Sequence, residues 1–322
     1  MKDLDVLSLG ELNVEFFHKK LNGIFSELAD ISGPYPSGAA AIFIDTMAKL
    51  GARTGYIGTV GHDEFGDCLV NRLKKDKVNI DYVYRLESAT TGVAFRTCYS
   101  NGSRKFIYHI GNAAPGKLCV EHIDERFIGR FRWLHISGNV LAFSKSARDA
   151  TMKAVDIAHS LGIPISLDPN LRLEILKPQE IKDLLEPVLR KTYLFLPSKG
   201  EIRYITGNNN EDKGAEELLR QGIGIIARKE GLDGSSIFTK EKTIHTKPFT
   251  VKEIDATGCG DAYGGAFVYG LMQGWEFNTV GEFANAVGAI TATRYGPMEG
   301  IESLEEVQSF IKSNKNQEVV QL

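Results

Sequence analysis

Short apolar runs alternate with amphipathic helical patterns along most of this chain, and this alternation restricts the possible folds more than any other feature. The runs are bounded by turn residues and lie at Val6–Leu9, Tyr56–Val60, Trp133–Ser137, Ile163–Leu167, Tyr193–Leu196 and Ile223–Ala227. Helical periodicity predicts intervening helices that include Ala39–Leu50, Ser144–Leu161 and Gln179–Leu189. Continuous apolar strands between amphipathic helices are typical of a mostly parallel sheet with helices on both faces. The sequence therefore predicts an α/β fold with a three-layer core.

The polar residues that follow these runs are the first places to search for a site. In open α/β sheets, ligands bind beyond the carboxyl ends of the strands. The segments concerned are Gly10-Glu11, Ser137–Asn139, Asp168–Asn170, Pro197-Ser198 and Lys229–Gly231. We expect them to meet along one edge of the sheet.

Two stretches, residues 11–35 and 90–112, break the alternation and are rich in glycine, threonine and aromatic residues. Within the second stretch, Thr91–Tyr99 and Lys105–Ile110 flank an Asn101-Gly102 turn, a pattern typical of a β-hairpin. We predict that the two stretches form a small separate sheet that acts as a lid. The alternative is an antiparallel extension of the main sheet.

Composition excludes several classes of protein. With 43% hydrophobic and 25% charged residues, the 322-residue chain has ordinary globular proportions, which exclude disorder, collagen-like repeats and coiled coil. A net charge of −3 provides no basic excess for binding nucleic acid or an anionic membrane. The four cysteines are scattered and form no Cys-x-x-Cys pair, which argues against zinc and disulfides. We expect residues 1–322 to form one domain and, since the start lacks the apolar core of a signal peptide, a cytoplasmic protein.

The segment Ile254–Phe267, with the sequence IDATGCGDAYGGAF, carries the strongest signal for chemistry. It follows a strand-like run and opens a helical pattern that continues to Gly274. Gly258 and Gly260 allow a tight turn that points backbone N–H groups outward at a helix N-terminus, where a phosphoryl group in transfer is stabilised. Asp261 lies at the helix start, where a carboxylate can accept the proton of an attacking hydroxyl.

Other interpretations of this segment are open or fail. An isolated Gly-x-Gly-Asp is more often a turn followed by a helix cap, with Asp261 as the capping residue. A dinucleotide fingerprint, Gly-x-Gly-x-x-Gly, fails because the glycine that follows Gly260 is Gly264, one position late. The chain contains no Walker A pattern, which argues against a P-loop kinase.

An ordered set of motifs resembles the ribokinase-like (PfkB) carbohydrate kinases. Asp255–Asp261 (DATGCGD) is similar to the signature D-T-x-G-A-G-D of that family. Gly10-Glu11 and the segments Gly58–Gly66, Asp168–Arg172, Lys229–Gly234 and Phe283–Gly296 resemble further motifs in the same order. The resemblance spans nearly the whole chain. It implies a Rossmann-type core with a β lid, and the ATP-dependent phosphorylation of a sugar hydroxyl, usually a primary one.

The resemblance also implies roles on the nucleotide side. Asp261 matches the catalytic base, and the backbone around Gly258, Cys259 and Gly260 matches the anion hole. The positions that match ATP contacts are Lys229, Gly231, Gly234, Asn285 and Ser198. Mg²⁺ would accompany ATP, held largely by phosphates and water, with Glu201 acting indirectly.

Sugar contacts and a second ion are implied in the same way. The sugar contacts match Asn13, Glu15, Gly38 and Asn112, and Tyr35 at the lid junction is a further candidate. Many members hold a monovalent cation, with K⁺ the expected ion. That site matches Asp255 together with main-chain oxygens of Thr257, Thr291, Arg294 and Gly296.

Several residues depart from the family pattern. Ile42 stands where many members have a hydroxyl-binding asparagine, and Glu15 stands where aspartate is usual. Ser198 replaces the asparagine of the family's N-x-x-E motif, although Glu201 is retained. Cys259 replaces an alanine, and we expect a buried, unreactive thiol there. The altered positions 42 and 198 leave open a non-catalytic protein that binds sugar or nucleotide.

The choice of sugar depends on few residues. Asp168–Arg172 and Gly111–Ala114 look closest to 2-keto-3-deoxygluconate kinases, in which Arg172 would bind the sugar-acid carboxylate. A phosphate contact or a structural ion pair explains this arginine equally well. Arg104 and His109 lie near the place of a further arginine in those kinases, and the weaker anchor His109 favours an uncharged ketohexose, tagatose or fructose, as the alternative. The edges of a lid sheet also favour a homodimer joined through the lids.

Overall fold

The computed structural model describes residues 2–171 and 178–320. Its strands are β1 (Leu4–Glu11), β2 (Asn13–His18), β3 (Ile31–Ser37), β4 (Thr54–Gly61), β5 (Asn79–Leu86), β6 (Gly92–Cys98), β7 (Arg104–His109), β8 (Phe131–Ser137), β9 (Ile165–Asp168), β10 (Leu194–Phe195), β11 (Ile225–Lys229), β12 (Ser235–Phe238) and β13 (Thr243–Thr246). Its α-helices are α1 (Ala39–Lys49), α2 (Glu64–Lys75), α3 (Glu125–Ile128), α4 (Val140–Phe143), α5 (Lys145–Ser160), α6 (Pro178–Leu189), α7 (Ile202–Thr206), α8 (Glu211–Arg220), α9 (Cys259–Met272), α10 (Phe277–Ala292) and α11 (Leu304–Val320). Short 3₁₀ turns lie at Ala114–Lys117, Val120–His122 and Gly231–Asp233.

The main sheet confirms the predicted α/β architecture. Its strand order is β13-β12-β11-β10-β9-β8-β1-β4-β5, and all neighbours from β11 to β5 pair in parallel. At one edge, β12 pairs antiparallel with β11, and β13 pairs antiparallel with β12. The parallel register brings the carboxyl ends of β1, β8, β9 and β11 to one edge of the sheet, where the polar segments were expected to meet.

Helices cover both faces of this sheet because successive strand residues point to opposite sides. Val6 packs with the cluster formed by α1, α9 and α10, whereas its neighbour Leu7 packs with the cluster formed by α5, α6 and α8. Ile225 and Ile226 divide in the same way. This burial on two sides explains why the central strands appear as uninterrupted apolar runs.

The lid is a separate sheet, as predicted, and the alternative of an extended main sheet is wrong. Its order is β3-β2-β6-β7, with β6 and β7 forming the antiparallel hairpin. Gly102 in the hairpin turn has a φ of 79°, a backbone conformation that favours glycine. The chain leaves the main sheet at Glu11 and enters the lid at Asn13, so the lid begins directly above the carboxyl end of β1.

No helix within residues 2–171 and 178–320 combines the length and the apolar composition that crossing a bilayer requires.

Candidate active site

Three adjoining depressions lie between the carboxyl edge of the main sheet and the lid. The inner pocket, under the lid, is lined by residues that include Asn13, Glu15, Gly38, Tyr108 and Asn139. The channel is lined by residues that include Arg104, Asp168, Asn170, Glu201 and Lys229. The outer cleft is lined by residues that include Gly231, Gly234, Phe249, Asn285 and Ala289. Asp261 lines both the inner pocket and the channel, and Gly260 lines both the channel and the outer cleft.

Buried carboxylates form one wall of the inner pocket. Glu11, at the end of β1, accepts hydrogen bonds of 2.8 Å from the backbone N–H of Ala39 and from Nδ2 of Asn139. Glu15 accepts a bond of 3.1 Å from the Ser37 hydroxyl. Because ionised carboxylates only accept hydrogen bonds, such walls suit a ligand that carries several hydroxyl donors.

Close backbone packing sets the floor of the same pocket. Gly38 has a φ of 119°, and a Cβ at this position would lie 2.3 Å from the carbonyl oxygen of Glu11. Only glycine therefore allows the start of α1 to approach the end of β1 this closely. Ile42, one turn into α1, also lines the pocket and places an apolar group where the family pattern has an amide.

The turn before α9 has the geometry of an anion-binding helix start. Gly258 is the N-cap residue with a φ of 82°, and the first residue of α9 is Cys259. A Cβ on Gly258 would lie 2.6 Å from the carbonyl oxygen of Pro297. The first N–H groups of a helix have no partner within the helix, so this end attracts negative charge from the channel and outer cleft.

Asp261 lies in the first turn of α9, at the junction of inner pocket and channel. Its Oδ1 accepts a hydrogen bond of 3.0 Å from Nδ2 of Asn170. Asn170 has a φ of 41°, and its N–H donates to Asp168 Oδ1 over 3.0 Å. The carboxylate of Asp261 is thus oriented by a neighbouring strand end, as a general base must be. A residue that only caps a helix does not need the hydrogen bond from Asn170.

The channel is lined by two cations, Arg104 and Lys229, and by the carboxyl groups of Asp168, Glu201 and Asp261. Lys229, at the end of β11, forms an ion pair with the buried carboxylate of Asp168. Glu201 accepts backbone bonds of 2.6 Å from Ser198 and 2.9 Å from Leu171. Burial, reinforced by the charge of Asp168, raises the pKa of Glu201 from its ordinary 4.5 to about 7.

The outer cleft is mainly apolar and closes around the segment that follows β13. Asn285, on α10, donates hydrogen bonds of 3.1 and 2.9 Å to the carbonyl oxygens of Thr246 and Lys247. Gly234 has a φ of 90°, and a Cβ there would lie 2.1 Å from the carbonyl oxygen of Thr246. Asn285 therefore fixes a wall of the cleft. The apolar lining and the adjoining helix N-terminus suit a flat heterocycle that carries phosphates.

Cys259 lies beside this cleft and is unreactive by its environment. Burial raises the pKa of its thiol to about 12. The reactive thiolate is therefore scarce at neutral pH. The residue is half-buried and lines the outer cleft, so the fully buried role expected from the sequence stays a prediction.

A divalent cation fits the channel only in company with phosphates. Among the residues that the structure describes, no group of three or more His, Cys, Asp and Glu side chains could hold a metal ion. The oxygen donors of Asp168, Glu201 and Asp261 nevertheless line one channel, and Mg²⁺ prefers hard oxygen ligands and retained water. Carboxylates acting through water, with the phosphates of a nucleotide, make a suitable donor set.

Not every predicted sugar contact reaches the inner pocket. On β7, Phe106 and Tyr108 line it, so strand alternation turns His109 to the opposite, exposed face. Asn112 is exposed beyond the end of β7 and is absent from the pocket wall. The ring of Tyr35 stacks on Phe17 at 4.6 Å instead of lining the sugar pocket.

Two further candidates lie elsewhere than predicted. Asp168 and Arg104 were predicted as sugar contacts, but both line the channel rather than the inner pocket. Arg104 also lines the outer cleft, and its Nη1 lies 3.3 Å from the hydroxyl of Thr257. Arg172 lies outside the described residues.

The predicted monovalent-cation site contains a side chain that the sequence analysis did not consider. The guanidinium of Arg96 contacts both carboxylate oxygens of Asp255, at 2.7 and 2.8 Å. Gly296 donates its backbone N–H to the same carboxylate over 3.3 Å. Thr291 is buried nearby, while the side chain of Arg294 turns away to contact the carbonyl oxygen of Gly300 and Glu306.

Sequence reasoning also missed residues that line or orient the site. Glu11, Asn139 and Asn170 lie in strand-end segments that the analysis singled out, although none was named as a site residue. Strand alternation was the signal for Arg96, since it shares a face of β6 with the buried Ala94 two residues earlier.

Comparisons with known proteins identify the family of the chain. A 5-dehydro-2-deoxygluconokinase from Clostridium perfringens is 28% identical, covering 98% of this chain and 95% of its own. A protein from Arabidopsis thaliana provisionally named fructokinase-2 is 29% identical, covering 95% of each chain. The solved structure of an E. coli protein provisionally named ribokinase II, in complex with ATP and Mg²⁺, has 38% identity and a TM-score of 0.91, covering 96% of this chain and 99% of that one. The family model of the pfkB carbohydrate kinases matches residues 3–304, so the chain belongs to this family of ATP-dependent sugar kinases.

Proposed function

We propose that the protein transfers the γ-phosphate of ATP to a primary hydroxyl of a six-carbon keto sugar acid, with 2-keto-3-deoxygluconate as the first candidate. The observation that carries this proposal is the position of Asp261, on the boundary between a hydroxyl-binding pocket and an anion-binding channel. ATP would place its base in the outer cleft and its phosphates along the channel. Cytoplasmic ATP is the donor in this proposal.

The proposed reaction needs three contributions from the chain. Asp261 removes the proton from the sugar hydroxyl as that oxygen attacks the γ-phosphorus. The N–H groups that follow Gly258 stabilise the charge on the transferring phosphoryl group, assisted by the Lys229 ammonium in the channel. Mg²⁺, when bound with ATP, supplies further neutralisation of phosphate charge.

The substitution Asp261→Asn tests the role of the base. We expect the rate of ADP release to fall about 1,000-fold, the order that removal of a general base commonly produces. ATP binding, measured by calorimetry, should persist because the amide retains the shape of the side chain. Asp149→Asn, at an exposed ion pair on α5, is the control. Near-normal turnover in the Asp261 variant would show that another group takes the proton.

A neutral ketohexose is the second candidate, and one observation favours it. Glu11 and Glu15 make the inner pocket rich in carboxylates, which repel an acidic substrate. A panel of 2-keto-3-deoxygluconate, 5-keto-2-deoxygluconate, tagatose, fructose and ribose, with a sugar-free control, separates the candidates by ADP release. A sugar acid as the preferred substrate supports the first proposal, and a neutral ketose as the preferred substrate replaces it. Failure of the whole panel would favour the binding-only alternative.

We also propose that two copies of the chain associate through their lids. Exposed apolar side chains lie on both edge strands of the lid, at Ile31 and Ile107, and on the connection between β2 and β3, at Leu21, Ile24 and Leu28. Exposed apolar side chains beside open sheet edges favour contact with a second copy. Sedimentation velocity should show a dimer that Leu28→Asp combined with Ile107→Asp dissociates. A purely monomeric wild-type chain at micromolar concentration would refute this proposal.

A further inference from the structure

Arg96 is a buried cation at the centre of the contact between lid and main sheet. Its side chain, on lid strand β6, is 2% exposed. Nη1 and Nη2 bind the two oxygens of Asp255 at 2.7 and 2.8 Å, a bidentate arrangement that fixes both groups. Nε lies 2.9 Å from the carboxylate of Glu15, and the guanidinium carbon lies 3.8 Å from the ring centroid of Phe17.

This arrangement does not fit a monovalent cation bound through Asp255. An ion that shared this carboxylate would lie within a few ångströms of the guanidinium, which stays charged at every accessible pH. The two positive charges would repel each other in a site from which water is excluded. The carbonyl oxygens of Thr291 and Gly296 already accept backbone bonds of 3.2 Å, from Arg294 and Glu299.

We infer that Arg96 supplies from within the chain the positive charge that the loop before α9 requires, so that this kinase needs no monovalent cation. Asp255 links Arg96 to the loop, because its Oδ1 accepts a hydrogen bond of 3.0 Å from the backbone N–H of Thr257. Nη1 of Arg96 also lies 2.5 Å from the hydroxyl of Thr257. Thr257 precedes the N-cap Gly258, so Arg96 is a positioning residue for the anion-binding turn.

The same contacts connect the turn to the inner pocket. Arg96 joins Glu15, which lines the pocket, to Asp255 at the start of the turn. A bound ion would touch the turn alone, whereas this side chain belongs to the lid. The position of the lid and the geometry of the turn are therefore coupled through one guanidinium. The inference rests on the proposed function only for its turnover measurement.

The test compares the wild type with Arg96→Gln in KCl and in tetramethylammonium chloride of equal ionic strength. The readouts are the melting temperature, the affinity for MgATP and the rate of ADP release with the best sugar. We expect the wild type to behave identically in both salts. The variant should lose roughly 100-fold in rate without K⁺, and K⁺ should restore roughly tenfold and raise its melting temperature by roughly 3 °C.

Arg53→Gln is the matched control. Arg53 also binds a carboxylate with two nitrogens, at 3.1 and 3.0 Å from Asp5, but this pair lies at the amino end of β1, opposite the site. Its variant should melt lower than the wild type, and equally so in both salts. A variant that has only lost stability should therefore show the same melting temperature with and without K⁺.

Two results would overturn the inference. One is a wild type whose rate rises more than twofold or whose melting temperature rises in K⁺. The other is an Arg96→Gln variant that K⁺ does not affect. If that variant does not fold, Arg96→Lys replaces it. We then expect ATP binding that is weaker than in the wild type and independent of K⁺. ATP binding that depends on K⁺ would contradict the inference. Melting and ATP binding need no sugar, so a wrong substrate proposal leaves both measurements valid.

Discussion

The outer cleft and the inner pocket are built in different ways. The outer cleft and the turn before α9 owe their shape to backbone conformations, with positive φ angles at Gly231, Gly234 and Gly258. The inner pocket is shaped mostly by side chains, such as Glu15 and Tyr108, which reach in from lid strands. A site made by the backbone leaves a glycine pattern in the sequence, whereas a site made by side chains depends on which way each strand faces. The phosphate donor was accordingly easier to predict than the sugar.

The largest expected effect comes from adding one methyl group to the backbone-built region. In Gly258→Ala the new Cβ would lie 2.6 Å from the Pro297 carbonyl oxygen, at a φ of 82° that alanine rarely adopts. We expect kcat/KM to fall roughly 100-fold because the anion-binding turn must shift.

Gly274→Ala is the matched control for Gly258→Ala. Gly274, beyond the other end of α9, has a similar φ of 72° with nothing within 4 Å of the added Cβ. Its variant should lose about 1 kcal/mol of unfolding free energy and keep its activity. Equal activity losses in the two variants would mean that strain alone, and not the approach to Pro297, determines the result.

Burial separates the strands that were predicted from the sequence from those that were missed. β1 and β8 appeared as apolar runs because they are buried on both faces. β5 was missed because it is the edge strand of the main sheet and includes the exposed Asp81 and Arg85. Apolar content therefore located the sheet centre and left its edge undefined.

The same division holds for the site. The position of Asp261 followed from glycine spacing and from the family signature. His109 was a predicted sugar contact, and it lies on the exposed face of β7. Strand alternation marks the buried face of β6 that carries Arg96, but no local pattern identifies the partners of this side chain. The partner of Asp255 lies 159 residues away in the chain, so only the fold reveals it.

The second prediction concerns the charge in the channel. Lys229→Met removes one of the two cations that line the channel and leaves the buried carboxylate of Asp168 without its ion pair. We expect the KM for ATP to rise roughly 30-fold, with a smaller change in the KM for sugar. Lys199→Met, which breaks an exposed pair with Asp233, is the control and should keep wild-type kinetics. A rise confined to the KM for sugar would show that Lys229 serves the inner pocket and not the nucleotide.

The third prediction tests the inner pocket separately. Asn13→Ala removes a buried amide from the pocket wall, where Asn13 lies on lid strand β2. Loss of one hydrogen bond to a sugar hydroxyl should raise the sugar KM roughly tenfold, while the KM for ATP stays constant. Asn79→Ala, at a half-buried asparagine on β5 that bonds to Asp81, is the control. If the ATP KM rose as much as the sugar KM, the two regions would not be separable.

The smallest effect is a pH dependence of stability that arises in the channel. Glu201 has a pKa of about 7 in the folded protein against an ordinary 4.5, because burial and the nearby charge of Asp168 disfavour its ionised form. Between these values the folded state holds a proton that the unfolded chain releases. The contribution of Glu201 to the unfolding free energy therefore falls as pH rises from about 4.5 and levels off above about 7.

Glu201→Gln should remove this contribution, since the amide does not titrate. Relative to the wild type, the variant should gain about 1 kcal/mol between pH 6 and pH 8 in urea unfolding, an order set by the shift in pKa. The comparison is internally controlled, because the amide keeps one acceptor oxygen and loses one of the two backbone bonds, from Ser198 or Leu171, which lowers stability at every pH alike. Parallel pH profiles for the two proteins would show that Glu201 ionises normally.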